Sequence, residues 1–235
     1  MCEKTSSSRP RAMISRSALA ASASAAVDAG GRIADLRRDA WGHGVLAIAH
    51  AVTGAGAAAV LVDYAEEAEM LRLEGIEAVT EGAADIDPSL LYGLPDAEGT
   101  LRTTPVMRLA GRILSTKPLK AGDAVSYGYT HRASRDTTAA LITGGYAQGI
   151  VRALGNAAHV EIDGVQRPIV GRVAMDVCVI DLQGSSEAQV GVDATYFGGT
   201  GPAGPGLARW SAVTGLTIAE LITVAGSHAE RGWEA

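Results

Sequence analysis

The chain of 235 residues is poor in aromatic side chains, in lysine and in cysteine. Aromatics make up 4 % of it, with a single phenylalanine, Phe197, so a core has to be assembled from Ala, Val, Leu and Ile. The two cysteines, Cys2 and Cys178, are too few for a disulfide framework and lack metal-ligand spacing; a reducing cytoplasm suits them best. No apolar run approaches the ~20 residues of a membrane span. Nor is positive charge in excess: a formal net charge of −6 argues against a nucleic-acid backbone as main partner. What is abundant is hydrophobic character, 47 % of the residues, which predicts a packed core and excludes global disorder.

Along the chain, residues 1–10 form a polar tail. The Ala/Ser stretch Ala18 to Val27 follows Arg11 and Arg16 as a secretory leader would. Its serines and its lack of a dense Leu/Val run make a poor leader, and its alanines favour a helix capped by Ser15 or Ser17 and stopped at Gly30-Gly31. Alternating elements come next: strands near 32–36, 57–62 and 76–79, a helix near 45–52, and a second helix opened by Asp63 with Glu66 three residues on and closed at Gly75. Such alternation predicts parallel βαβ units. A long break, 81–104, follows. From Pro105 the pattern becomes short β-like runs at 106–109, 112–114, 139–142, 160–162, 169–170 and 177–182. Turns separate them, with Asp163-Gly164 a strong hairpin signal; Lys117-Pro118 also reads as turn. A glycine-rich loop, 197–205, and one or two helices over 210–225 complete the pattern.

One stretch, Leu36-Arg37-Arg38-Asp39-Ala40-Trp41-Gly42-His43-Gly44, sits where an apolar strand gives way to a helix, the usual place for chemistry in a βα unit. With LLYGL at 90–94, STKPLKAGDAVSYG at 115–128, GGYAQG at 144–149 and RPIVGRVAMD at 167–176, it resembles the alanine racemases in order and spacing. The resemblance implies a fold of class α/β plus β. A partial (β/α) barrel of about three parallel strands with helices would occupy residues 11–104, and an antiparallel β domain like the family's C-terminal domain would occupy 105–235. A whole barrel needs ~200 residues or more, so its middle is missing. The retained strands would correspond to the first, the second and the last of the barrel, an open patch with bare edges that self-association would cover.

In that family a lysine holds pyridoxal phosphate (PLP) as a Schiff base, and each active site is shared between one subunit's barrel and its partner's β domain. The lysine position here is Arg37, and a guanidinium stays charged and cannot attack an aldehyde. The chain's three lysines, Lys4, Lys117 and Lys120, offer no replacement. Trp41 replaces a phosphate-contacting tyrosine, Ile86 the arginine facing the pyridine nitrogen, and Pro88-Ser89 a Gly-Ile pair whose amides bind phosphate, although proline has no N–H. Glu220 puts a carboxylate where a tyrosine met phosphate. No PLP is therefore expected. The partner-donated face is kept: Tyr127 matches the second catalytic base, Tyr146 lines the substrate pocket, Arg152 and Arg172 match arginines at the site's entrance, and Met175-Asp176 match the pair beside the substrate. A phenol with pKa ~10 acts as a base only among positive neighbours, some of which are lost here, so Tyr127 is expected to be inactive. Tyr127 and Tyr146 could equally be wall aromatics, and Arg152, Arg172 and Asp176 surface ion pairs. His43 reads as packing the turn.

These readings lead to a degenerate racemase homologue without PLP or racemase activity of its own, a homodimer binding a small anionic metabolite through Arg37, Arg152 and Arg172. One alternative is a subunit lending its β face to a full-length racemase in a mixed dimer. Another is an active alanine racemase interconverting L- and D-alanine.

Overall fold

In the computed structural model, residues 9–126, 128–184 and 189–235 are described. The first strand, β1 (Arg11–Ser15), buries Ala12 and Ile14 on one face. Ser15 ends it and caps α1 (Arg16–Asp28), its hydroxyl accepting from the Ala18 amide at 3.2 Å. The alanine-rich stretch is thus a helix, with Leu19, Ala23 and Ala26 turned inward.

Three parallel strands follow, β2 (Ile33–Asp35), β3 (Ala59–Leu61) and β4 (Ala78–Val79), side by side in that order. Between β2 and β3 lie a single turn of helix, α2 (Arg37–Trp41), and α3 (Val45–Gly54); α4 (Ala65–Leu73) joins β3 to β4. Asp63 does not cap α4: the cap position is Tyr64, without a side-chain bond, and the Asp63 carboxylate instead accepts from the Arg38 amide. The three strands are consecutive in sequence, whereas the last of the barrel was expected beside the first. On that side of β2 runs the segment around residue 85, where the Asp85 and Ile86 amides both donate to the Ile33 carbonyl at 3.0 Å. The Asp85 carboxylate accepts from the Ile33 and Arg32 amides, which hold its pKa below the usual carboxylate range. The long break also hides a short helix, α5 (Pro88–Tyr92), with Asp87 as cap and Pro88 in its first turn.

The rest of the chain builds a closed sheet. Its strands are β5 (Met107–Leu119), β8 (Thr137–Thr143), β9 (His159–Ile162), β10 (Val165–Val170), β11 (Val177–Asp181) and β12 (Asp193–Phe197). The order runs β12-β9-β10-β11-β8-β5, and β12 pairs back on β5, closing a six-stranded antiparallel barrel. A small ribbon of β6 (Ala124–Val125) and β7 (His131–Arg132) stands beside it. The Asp163-Gly164 hairpin forms as expected, both residues having positive φ, between β9 and β10. Lys117 and Pro118 are not in a turn. They lie within β5, and Pro118 faces Thr138 of β8. The turn begins at Ala121-Gly122.

Two helices, α6 (Gly206–Thr214) and α7 (Ile218–His228), lead to β13 (Glu230–Glu234). Strand β1 is inserted between β5, antiparallel to it, and β13, parallel to it. The chain's first strand therefore belongs to the sheet of its second half. One buried apolar cluster runs through both parts, from Ala12 and Ile48 to Trp210 and Ala225. Scarce aromatics are concentrated there: Trp210 meets Phe197 and Tyr196 edge-on. Among the described residues no single helix is long and apolar enough to cross a membrane.

Candidate functional site

After β2 the chain makes a left-handed turn. Arg38, Asp39, Ala40 and Trp41 have φ of 56°, 56°, 51° and 55°. None is glycine, and left-handed backbone costs about 1–2 kcal/mol per ordinary residue, so the surroundings must impose the turn. Asp39 is the hub. One carboxylate oxygen accepts from the Val45 amide at 2.7 Å and caps α3; the other pairs with Arg231 of β13, whose guanidinium also donates to the Gly42 carbonyl at 3.1 Å. Gly42 lies against α7 so closely that a Cβ there would come within 2.9 Å of the Gly226 Cα. His43 is wholly buried. Its Nδ1–H donates to the Ala40 carbonyl at 2.9 Å, its ring stacks on Tyr92 at 4.5 Å, and burial lowers its pKa to about 4. It packs the turn as a neutral ring. Tyr92 also stacks on Trp41 and donates its hydroxyl to the Asp35 carbonyl at 3.0 Å.

Arg37 folds back on the strand it follows. Its Nε and Nη2 donate to the two oxygens of Asp35 at 2.9 and 2.6 Å. Burial works against the Asp35 charge, but these bonds and the charge of Arg37 outweigh it and keep the carboxyl below its usual range. The same pairing holds the guanidinium pKa above its already high value.

These residues form one wall of a cavity of about 960 Å³. Arg37, Arg38 and Trp41 face Tyr146 and Arg152, while Glu220 and its neighbours on α7 close a third side. Five residues singled out from sequence therefore meet: Arg37, Trp41, Tyr146, Arg152 and Glu220. The resemblance assigned Tyr146 and Arg152 to a face offered to another subunit, yet both line this chain's own cavity. The Arg152 guanidinium lies over the Tyr146 ring, 5.3 Å from its centre. Glu220 closes a capping box, accepting from the Thr217 amide at 2.7 Å and hydroxyl at 2.8 Å, and these bonds lower its pKa.

The other candidates stand apart. Ile86 is buried behind β2, against Gly31. Pro88 and Ser89 belong to α5, and the Ser89 amide already serves the Asp87 carboxylate at 2.8 Å. Arg172, Met175 and Asp176 are exposed and do not line the cavity. Asp176 accepts from the Gln148 amide group at 2.7 Å, while the Gln148 carbonyl accepts from the Gly145 amide, beside Tyr146. Tyr127 lies outside the described residues. Sequence reasoning missed Asp35, Asp63 and Gln148. Gln148 sits inside the GGYAQG motif and was the one with a signal; the pairing of Asp35 with Arg37 two residues on has none.

The family model described as "Alanine racemase, C-terminal domain" matches residues 106–233. The alanine racemase of Mycobacterium avium is 39 % identical over 136 residues, 57 % of this chain and 35 % of that protein. The alanine racemase of Streptomyces coelicolor is 36 % identical over 146 residues, 62 % of this chain and 36 % of that protein. The chain thus spans about a third of the length of the curated relatives it matches. Among solved structures, the alanine racemase from Streptomyces coelicolor A3(2) superimposes with a TM-score of 0.81 at 20 % identity, covering 96 % of this chain and 98 % of that one. The alanine racemase from E. faecalis gives 0.79 at 17 % identity, covering 96 % of this chain and 98 % of that one. At such identities the likeness speaks for the fold.

Proposed function

The chain belongs to the alanine racemase family through its C-terminal domain, and from that premise we propose that it is a racemase homologue without PLP chemistry of its own that binds a small anionic molecule between the turn, the barrel loops and α7. We read β2, β3 and β4 as what remains of the family's parallel barrel. The observation that carries the proposal is the pair Asp35–Arg37: the strand-end position holds a group that cannot form a Schiff base and that is turned back by its Nε and Nη2 onto the two oxygens of Asp35.

The residues present do not fit PLP. The Ser89 amide is occupied, Pro88 has none to offer, and the Glu220 carboxylate stands on the cavity wall, where it would repel a phosphate. Trp41 is held in its stack on Tyr92 and has no hydroxyl to give. The test is to add PLP to the purified protein. The expected result is no visible absorbance band that borohydride abolishes and no D-alanine from L-alanine, in the wild type and in Arg37→Lys alike. A band or turnover in the wild type would overturn the proposal.

A second reading, a subunit that lends its β face to a full-length racemase, is favoured by the exposure of Arg172, Met175 and Asp176. Mass measurement after mixing with such an enzyme separates a mixed dimer from a homodimer.

A further inference from the structure

Resting on the reading of the cavity as a small-molecule site without PLP, we infer the class of its occupant: an organic monoanion with an elongated apolar body, held by its charged end at Arg152. The polar groups on the cavity wall differ in how far each is already engaged. Asp35 spends both oxygens on Arg37. Asp63 accepts from the Arg38 amide. Glu220 is committed to Thr217. Each of these three carboxylates already has a partner, Asp35 on both oxygens, so a cationic ligand would compete with bonds in place. The donors are not all occupied. Among the described residues no carboxylate pairs with Arg152, which rests only on the Tyr146 ring, and the Arg38 side chain reaches Asp63 no closer than 3.7 Å.

The remaining wall is apolar: Trp41, Val151, Leu216, Leu221 and Val224. Tyr146 and Val224 are 40 % and 47 % exposed, so this surface is open to a ligand. A cavity of about 960 Å³ lies at the upper end of the range for sites that enclose ligands of some twenty or more heavy atoms, and a three-carbon amino acid would leave most of it unfilled. The available donors of Arg152 and the apolar side chains lining the same cavity select a chain- or ring-bearing carboxylate over alanine, and over an inorganic anion.

The experiment titrates the full chain with butyrate, hexanoate, octanoate and octylamine, read by tryptophan fluorescence, since Trp41 lines the wall. Affinity is expected to rise about tenfold or more from butyrate to octanoate, below the roughly fourfold-per-methylene ceiling of full burial, and octylamine is expected to bind far more weakly than octanoate. Arg152→Ala and Val224→Glu should each weaken octanoate about tenfold, one by losing the cation and the other by adding a like charge, while Arg135→Ala, an exposed arginine away from the cavity, leaves it unchanged. Circular dichroism checks that the variants fold; both substituted side chains are largely exposed. Equal binding of butyrate and octanoate, equal binding of octylamine, or an octanoate affinity untouched by both cavity variants would each overturn the inference. PLP is added in a separate arm: a borohydride-sensitive visible band there refutes the cofactor-free reading itself, whatever the carboxylates do.

Discussion

Replacing Arg231 by alanine tests whether the left-handed turn is imposed from outside. Arg231 lies on β13, and its guanidinium bridges the Asp39 carboxylate and the Gly42 carbonyl. The ion pair is partly exposed, 32 % and 46 % of the two side chains remaining accessible, so solvent screening limits it to about 0.5–1 kcal/mol. The charge-assisted bond to the Gly42 carbonyl adds roughly 1 kcal/mol. The expected loss is therefore about 1.5–2 kcal/mol, or a fall in Tm of roughly 3–8 °C for a chain of this size. Asp39→Asn keeps an acceptor for the Val45 amide but removes the charge. A double-mutant cycle of the two changes, followed by thermal melting in the far ultraviolet, should return a coupling of about 0.5–1 kcal/mol. Trp41 emission should shift toward that of solvated indole in Arg231→Ala, because the turn that carries it loosens. A Tm within about 1 °C of wild type, with zero coupling, would show that the turn holds itself and that the clamp is incidental.

Acid should destabilise the protein through His43. Its folded pKa is about 4 against 6.5 in a free chain, so the unfolded state takes up the proton first. The stabilisation is full above pH 6.5 and is lost as pH falls toward 4, by about 3 kcal/mol. Denaturant melts from pH 7.5 to 4.5 check this, and His43→Phe should flatten the slope. Gly42→Ala should cost about 2–3 kcal/mol, since φ there is +81° and the added carbon would collide with the α7 backbone; Gly215→Ala, also at positive φ but facing open space, should cost only about 1 kcal/mol.

Much of the architecture was legible because local chemistry and tertiary demand agreed. Ser15 caps α1, Asp163-Gly164 turns a hairpin, and apolar runs at 139–142 and 177–182 become β8 and β11. Where they disagreed, the reading failed. Glu230-Arg231-Gly232-Trp233-Glu234 has no strand pattern; pairing with β1 and the bond from Arg108 to Glu234 make it one. Asp63 looks like a helix cap but is drawn away by the Arg38 amide, a partner that exists only once the turn is left-handed. For the site, Arg37, Trp41 and Glu220 could be found from motif position, since each stands at a place with a fixed relation to its strand or helix. Asp35 could not, because nothing in a run of Asp-Leu-Arg-Arg-Asp says which arginine folds back onto it.

The insertion of β1 between β5 and β13 has a consequence for how the polypeptide is made. Its neighbours on the sheet are synthesised about a hundred and over two hundred residues after it. Arg11–Ser15 must therefore wait on the ribosome, unzipped, while the parallel strands behind it can already form. Long-separation pairing of this kind slows the final step of folding and leaves an apolar ribbon, with Ala12 and Ile14 uncovered, as the segment for a chaperone to shield.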